Sequence, residues 1–374
     1  MDDVPPWGIV GHEQAVDFLR RAIVHQRIGH AYLLSGPLGV GKRALATAFA
    51  QALNCERFGP GASGQVAQAL ESVEPSSGRP LARVRERGSG GEGLSDTPCG
   101  QCRRCRLIAA DSHPEVRTIG VQPPHRVIRV ADVETIQADA ALRASDVFRK
   151  VYILEQVELL HPDAANRLLK TIEEPPPSVL MILTTVDPDA TMETIVSRCQ
   201  HVRLRPARRD WLAQVLEERA GLEPDRAVLI AALAEGCVGR GLTLAANQRV
   251  LDRRAELLDE LARLLVSDRV ARLAYARTLG DRWSRDQESV REVLGAWLRW
   301  WRDVLLAQSG LGERVVNLDR RSEIERQATQ ASKREVRAAV AGVRDILQML
   351  DQNVNARLAL DVAVLDLPRP EQAA

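Results

Sequence analysis

The run Gly36-Pro37-Leu38-Gly39-Val40-Gly41-Lys42 has the residue types and spacing of a loop that holds phosphate. Its glycines let successive backbone N–H groups turn inward onto phosphate oxygens, and a helix starting at Lys42 adds the partial positive charge of its N-terminus. Gly36, Gly39 and Gly41 would shape the cradle, and Lys42 would reach the terminal phosphates of a bound ATP. The pattern normally closes with a Ser or Thr whose hydroxyl ligates Mg²⁺. Arg43 stands there instead, followed by Ala44, and a guanidinium repels a cation. A second departure follows the apolar run Val151-Tyr152-Ile153-Leu154, which leads into Glu155-Gln156. A hydrolytic site has an Asp here to help hold the metal and a Glu to polarise the attacking water. Glu155 is one methylene longer than Asp, and Gln156 cannot accept a proton. With the cradle kept and positions 43, 155 and 156 altered together, the chain reads as one that binds ATP without hydrolysing it efficiently.

The second cluster is Cys99-Gly100-Gln101-Cys102-Arg103-Arg104-Cys105, two overlapping Cys-x₂-Cys steps. Three thiolates so spaced can wrap one soft divalent ion, and tetrahedral Zn²⁺ takes four ligands. Cys55 is the natural fourth, with His113 as its competitor. Four protein ligands make a structural site with no open catalytic position. Arg103, Arg104 and Arg106 beside it would touch phosphate in a nucleic-acid-binding zinc ribbon. The absence of interleaved aromatics favours a plain solvated face. Cys199 and Cys237 read as buried structural thiols.

The elements that must position these groups alternate up to residue 207. Ala31-Tyr32-Leu33-Leu34, Val127-Ile128-Arg129-Val130, Val151-Tyr152-Ile153-Leu154 and Val179-Leu180-Met181-Ile182-Leu183 read as buried strands. Helix-period segments at 42–54, 131–142 and 162–172 separate them. Strand alternating with helix implies a parallel sheet with helices on both faces. Beyond 207 no strand is evident. Val290, Val293, Leu294, Trp297, Leu298, Trp301, Val304 and Leu305 fall on one face of a long amphipathic helix, and Val336, Val340, Val343, Leu347 and Leu350 repeat the pattern. Trp300 lies off that stripe, where it would be available to a partner. Between the two chemical clusters, residues 56–98 carry 18 Gly, Pro or Ser in 43 positions. That fraction exceeds the roughly 25–30% at which a packed core becomes unsustainable, so a mobile surface insertion is expected.

The 374 residues carry 51 Lys+Arg against 50 Asp+Glu, a net charge of +1. A bulk polyanion binder is thereby disfavoured. No apolar run is long enough for a membrane span. The acidic start Met1-Asp2-Asp3 lacks the apolar core of a secretory signal, and six cysteines do not make a disulfide scaffold, so the expected compartment is the cytoplasm.

With these residues in hand, the chain resembles the bacterial DNA polymerase III clamp-loader subunits of the AAA+ class. The resemblance rests on Ile9-Val10-Gly11-His12-Glu13, the loop 36–42, the run from Ala164 through Asn166-Arg167-Leu168-Leu169 to Glu173-Glu174-Pro175-Pro176, and Ser197-Arg198-Cys199. It covers nearly the whole chain except the insertion. The degenerate nucleotide site and the ending near Asn353-Val354-Asn355 make it most similar to the delta-prime type, with the gamma/tau motor type as the alternative. A zinc-dependent nucleic-acid-binding module is the reading from another class.

The resemblance implies an α/β P-loop AAA+ domain over 1–207, a small helical lid domain over 208–249 and an all-α collar domain for oligomerisation over 250–374. It implies a ring-like assembly in which Arg198 projects onto the ATP of a neighbouring subunit, acting catalytically in trans. Thr185, or Thr184 beside it, matches the phosphate-sensing position. Gly236-Cys237-Val238-Gly239-Arg240 lacks the sensor arginine of the second domain unless Arg240 replaces it. An early cysteine followed by a tight triplet, here Cys55 with Cys99, Cys102 and Cys105, is also a feature of these subunits. The implied partners are gamma/tau- and delta-type loader subunits, the sliding clamp and, through the assembled complex, primer-template DNA.

Overall fold

The computed structural model describes residues 6–57, 97–122, 125–142, 144, 146–352 and 354–368. Most of the expected insertion, 58–96, lies outside the described residues. The chain forms two compact units, Met1–Ala207 with Cys237–Gly239, and Arg208–Gly236 with Arg240–Ala374.

The first unit runs α1 (Glu13–Val24), β1 (Ala31–Ser35), α2 (Lys42–Asn54), α3 (Arg103–Ala109), β2 (Val116–Ile119), α4 (Val130–Ala140), β3 (Lys150–Leu154), α5 (Pro162–Glu173), β4 (Val179–Thr185), α6 (Glu193–Val196) and β5 (Gln200–Arg203). The five strands form one parallel sheet in the order β2-β3-β4-β1-β5. Every residue of β1, β3 and β4 is buried, as strands covered on both faces must be. Alternation divides their side chains. Tyr32, Leu34, Val151, Ile153, Leu180 and Ile182 pack with α1 and α2. Ala31, Leu33, Tyr152, Leu154, Met181 and Leu183 pack with α4 and α5. The α/β architecture with helices on both faces is thus the one the alternation implies.

Three elements differ from the pattern reading. The apolar run 127–130 is not a strand: Ile128 makes a single parallel bridge to Leu160, and the chain turns into α4 at Val130. The carboxylate of Asp132 accepts from the backbone N–H of Arg129 at 2.9 Å, which starts the helix there. Strands β2 and β5 went unread because Val-Arg-Thr-Ile and Gln-His-Val-Arg carry too few apolar residues to stand out. Both are sheet edges, where one-sided burial suffices.

The second unit is helical: α7 (Arg209–Ala220), α8 (Pro224–Leu233), α9 (Val238–Ala246, whose first two residues belong to the first unit), α10 (Gln248–Val266), α11 (Arg269–Trp283), α12 (Gln287–Gln308), α13 (Arg321–Gln330), α14 (Lys333–Asp351) and α15 (Ala356–Leu365). No strand occurs among its described residues. Its core is built on the α12 stripe of Val290, Val293, Leu294, Trp297, Trp301 and Val304, joined by Val336, Val343 and Leu350 of α14. Trp300 is buried in the same core, because α12 is covered on more than one side. It is therefore not free for a partner.

Two buried charges hold this unit together. Arg272 is fully buried. Its guanidinium donates to the carbonyls of Leu264 (3.2 Å) and Leu265 (2.9 Å) at the end of α10, and to those of Val364 (3.3 Å) and Leu367 (2.8 Å) at the end of α15. One side chain thus satisfies carbonyls left over at two helix C-termini. The buried carboxylate of Asp303 accepts from the backbone of Val316 and Asn317 and from Asn317 Nδ2. No described helix is long and apolar enough to cross a membrane.

Candidate functional site

The phosphate loop leaves the C-terminal end of β1, and its shape depends on glycine at Gly36. There φ is +148°, and a Cβ would stand 2.4 Å from the Leu204 carbonyl oxygen, so any side chain would force the loop off β5. Val40 O takes a 2.8 Å hydrogen bond with Nε2 of the buried His12, bracing the loop from α1. Lys42 is buried, and its ammonium donates to the carbonyls of Gly36 and Pro37. Burial lowers its pKa, opposed by the nearby Glu158, Cys237 and Glu155. The backbone of Gly239 rests directly on the loop: a Cβ there would lie 2.8 Å from Gly39 O. The loop's polar groups are thus engaged by the chain itself.

Arg43, at the position of the missing metal ligand, pairs with Asp111 (2.9 Å) and Glu155 (3.5 Å). The guanidinium therefore takes up the carboxylate that would otherwise help to hold a cation. Gln156 sits in the left-handed region at φ +56°, and its backbone N–H donates to Thr184 Oγ1 at 3.2 Å. Alternation along β4 puts Thr184 on the face that α2 covers. Thr185 is turned to the other face and fully buried, with its hydroxyl bonded to Asp187 O (2.9 Å) and Thr191 Oγ1 (3.0 Å). Sequence reading missed Asp111 and Glu158. Asp111 pairs with Arg43 from 68 positions away. Glu158, three residues past Glu155, accepts from Val186 N–H through one oxygen while the other is buried without a partner. No spacing rule marks either residue.

Arg198 follows the short helix α6. Its Nε pairs with Glu173 Oε1 at 2.8 Å, its Nη1 donates to Thr194 O at 3.1 Å, and both members of the pair remain about half exposed. Arg240 pairs with Glu235 at 3.6 Å.

The four cysteines converge. The sulfurs of Cys55, Cys99, Cys102 and Cys105 lie within 4.8 Å of one another, and none is in a disulfide. Cys55 comes from the end of α2, Cys105 from the first turn of α3, and Gln51 Nε2 ties the two helices by donating to Cys105 O at 2.8 Å. Backbone N–H groups of Cys99, Cys102 and Cys105 point at the sulfurs of Cys55, Cys99 and Cys102. Burial pushes the Cys99 thiol up, but N–H groups of Cys102 and Gln101 outweigh it and bring the thiol down to about 7. Cys105 is driven well above the ordinary thiol range by burial and its sulfur neighbours. Four thiols so close cannot all ionise without a cation among them. His113 is not part of this group. It is buried, with Nε2 3.6 Å from Asp146, which also takes Arg103 and Arg104. Two of the three flanking arginines are therefore paired within the chain. Cys237 is buried, and burial pushes the Cys199 thiol up to about 12, as structural thiols behave.

A family model described as "DNA polymerase III, delta subunit" matches residues 11–88 and 90–208. The chain is 25% identical over 357 residues to the DNA polymerase III subunit delta' of Bacillus subtilis, covering 95% of each. It is 32% identical over 241 residues to the delta' subunit of Pseudomonas aeruginosa, covering 63% of this chain and 61% of that one. The tau subunit of Bacillus subtilis is 28% identical over 295 residues, with 76% of this chain and 45% of that one covered. Among solved structures, a gamma subunit-related protein from Thermotoga maritima aligns over 95% of this chain and 99% of that one, at 16% identity and a TM-score of 0.44.

Proposed function

The chain belongs to the DNA polymerase III delta-subunit family of clamp-loader proteins, and on that premise we propose that it is the delta-prime-type subunit, which completes a neighbour's ATP site and does not run its own. The observation that carries this reading is the pairing of Arg43 with Glu155 and Asp111. A positive side chain neutralises the carboxylate where a hydrolytic site would hold Mg²⁺, and Gln156 offers no base beside it. Gly36, Gly39, Gly41 and Lys42 would still hold the phosphates of ATP once Lys42 releases its loop carbonyls. Thr184, on the α2 face, is better placed than Thr185 to sense them. Arg198 is the residue offered outward. Its planar fork would stabilise charge on the phosphoryl group transferred in the adjacent subunit.

Residues 208–249 would serve as the lid and 250–374 as the collar through which the subunit joins gamma/tau- and delta-type partners. Through that assembly it would act in the cytoplasm on the sliding clamp and primer-template DNA. Cys55, Cys99, Cys102 and Cys105 suit one structural Zn²⁺. All four sulfurs lie within 4.8 Å of one another, a donor set that zinc favours. The ion, when bound, supplies the positive charge that four thiolates require. Elemental analysis of protein purified without added metal should give one zinc per chain, lost in Cys55→Ser.

The experiment on function compares two variants in the assembled loader. Arg198→Ala should lower DNA- and clamp-stimulated ATP hydrolysis by about 10³-fold at the adjacent site, the low end for such arginines, while leaving assembly intact. Lys42→Ala should do far less. The likeness to tau favours the other reading, a motor subunit, and the reverse order of the two variants would establish it.

A further inference from the structure

Among the described residues, one partly buried arginine of the helical unit faces a cavity and has no protein partner. Arg299, on α12, has neither a hydrogen bond nor an ion pair among the described residues. Its guanidinium lies back along its own helix over Gly295, where a Cβ would meet Nη1 at 3.5 Å and Nη2 at 3.9 Å. A Cβ there would make only ordinary contact with it. Arg299 lines a cavity of about 80 Å³ whose other charged lining residues are Arg240, Arg254 and Glu292. Leu233, Leu244, Val250, Leu257 and Ala296 form the apolar part of the wall.

The carboxylates nearby are already taken. Glu235 pairs with Arg302 at 2.7 Å and with Arg240 at 3.6 Å. Glu292 pairs with Arg253 at 3.7 Å. Arg254 is held by both oxygens of Asp319, at 2.7 and 2.8 Å, and by Asn317. Around Arg299, then, Arg240 and Arg254 oppose its charge, Glu235 and Glu292 favour it only from a distance, and burial disfavours it most. Arg299 is only partly buried, and its guanidinium meets no protein acceptor among the described residues. With Arg240 and Arg254 on the same wall, an anion from solution is the simplest compensation for the three like charges. Eighty cubic ångströms admit a few waters, hence one tetrahedral oxyanion, but not a base and sugar.

We propose that this cavity binds a phosphoryl oxyanion, with Arg299 as its principal partner and Arg240 and Arg254 at its rim. Bound there, the anion bridges α9, α10 and α12 and stiffens the helical unit. Inorganic phosphate and the terminal phosphoryl of a nucleotide share this chemistry.

The test uses the full chain in phosphate-free buffer, followed by thermal unfolding and titration calorimetry. Millimolar inorganic phosphate should raise Tm by several degrees with a Kd below about 1 mM, whereas chloride at matched ionic strength should not. Arg299→Met should abolish that response. In phosphate-free buffer it should leave Tm unchanged or higher, because it removes one of three like charges around the cavity. Arg299→Gln is the second variant should the first fail to fold. An ATP response lost in Arg299→Met and retained in Lys42→Ala makes a nucleotide the source. An ATP response lost only in Lys42→Ala, beside an Arg299-dependent phosphate response, makes free phosphate the source. No phosphate-specific response, or one that survives loss of Arg299, overturns the proposal.

Discussion

The phosphate loop and the Arg198 turn belong to one sheet unit, yet they treat their cations in opposite ways. Lys42 is buried on carbonyls of its own loop, and Arg43 is held between two carboxylates. Arg198 has one carboxylate partner, Glu173; that pair and the Arg43–Asp111 pair are similarly exposed, so the two arginines differ in how many carboxylates hold them. A cation held by two carboxylates or two loop carbonyls has its binding capacity used within the fold. A cation with a single solvent-screened partner gives it up for little, since such pairs contribute about 0–1 kcal/mol. On the proposed function, the loop shapes this chain while Arg198 would serve a neighbour.

Three substitutions break or sharpen that contrast. The largest effect belongs to Arg272, the extreme case of an internally satisfied cation. Arg272→Met should cost about 3–5 kcal/mol, because buried helix-end carbonyls lose their donor at about 1–3 kcal/mol for each one left unmet. Urea unfolding followed by circular dichroism checks it, and a loss below about 1 kcal/mol would mean that water replaces the guanidinium at the helix ends. Next is Arg43→Thr, which frees Glu155 and Asp111 and returns a hydroxyl to the metal-ligating position. ATP affinity measured with Mg²⁺ should rise about tenfold over that measured with EDTA, whereas the parent chain should show little difference between the two. Smallest is Glu173→Gln. Stability should change by less than about 1 kcal/mol, and the assembled loader should hydrolyse ATP as fast or up to a few-fold faster, because Arg198 no longer has to leave a carboxylate. A clear loss of ATPase in this variant would show that Glu173 aims Arg198 instead of merely holding it.

Much of this was legible in sequence where one residue type does one job. The loop 36–42, the helix from Lys42 to Asn54 and the four cysteines need particular atoms at particular spacings, so their letters are diagnostic. The buried strands β1, β3 and β4 announced themselves as apolar runs. The edge strands β2 and β5 did not, because a strand covered on one side needs little apolar sequence. The run 127–130 failed in the other direction: its apolar letters belong to a single bridge and a helix start fixed by Asp132. Trp300 misled because a stripe marks one buried face, and α12 is covered on more. The carboxylates that engage the cations, Asp111 for Arg43 and Glu173 for Arg198, could not be read at all. Their pairing is made by the fold across 68 and 25 positions, and a surface Asp or Glu carries no mark of its partner.

The strand order has a consequence for how this protein comes into being. β1 is synthesised first but lies between β4 and β5, so its hydrogen-bonding edges stay open until residues 179–203 have followed. The phosphate loop is tied to the same late arrivals: Gly36 N–H donates to Thr185 O at 3.2 Å, and Leu204 N–H donates to Ser35 O at 2.7 Å. A motif from early in the chain is thus among the last to take its shape. Closing so long an interval slows folding of the sheet. The stretch 56–98 adds little to its equilibrium cost, because each doubling of a closed loop costs only about 0.6 kcal/mol. Evolution can lengthen or trim that stretch with small thermodynamic effect, whereas a defect in β5, the least apolar strand of the sheet, would be felt at the loop where the chain begins.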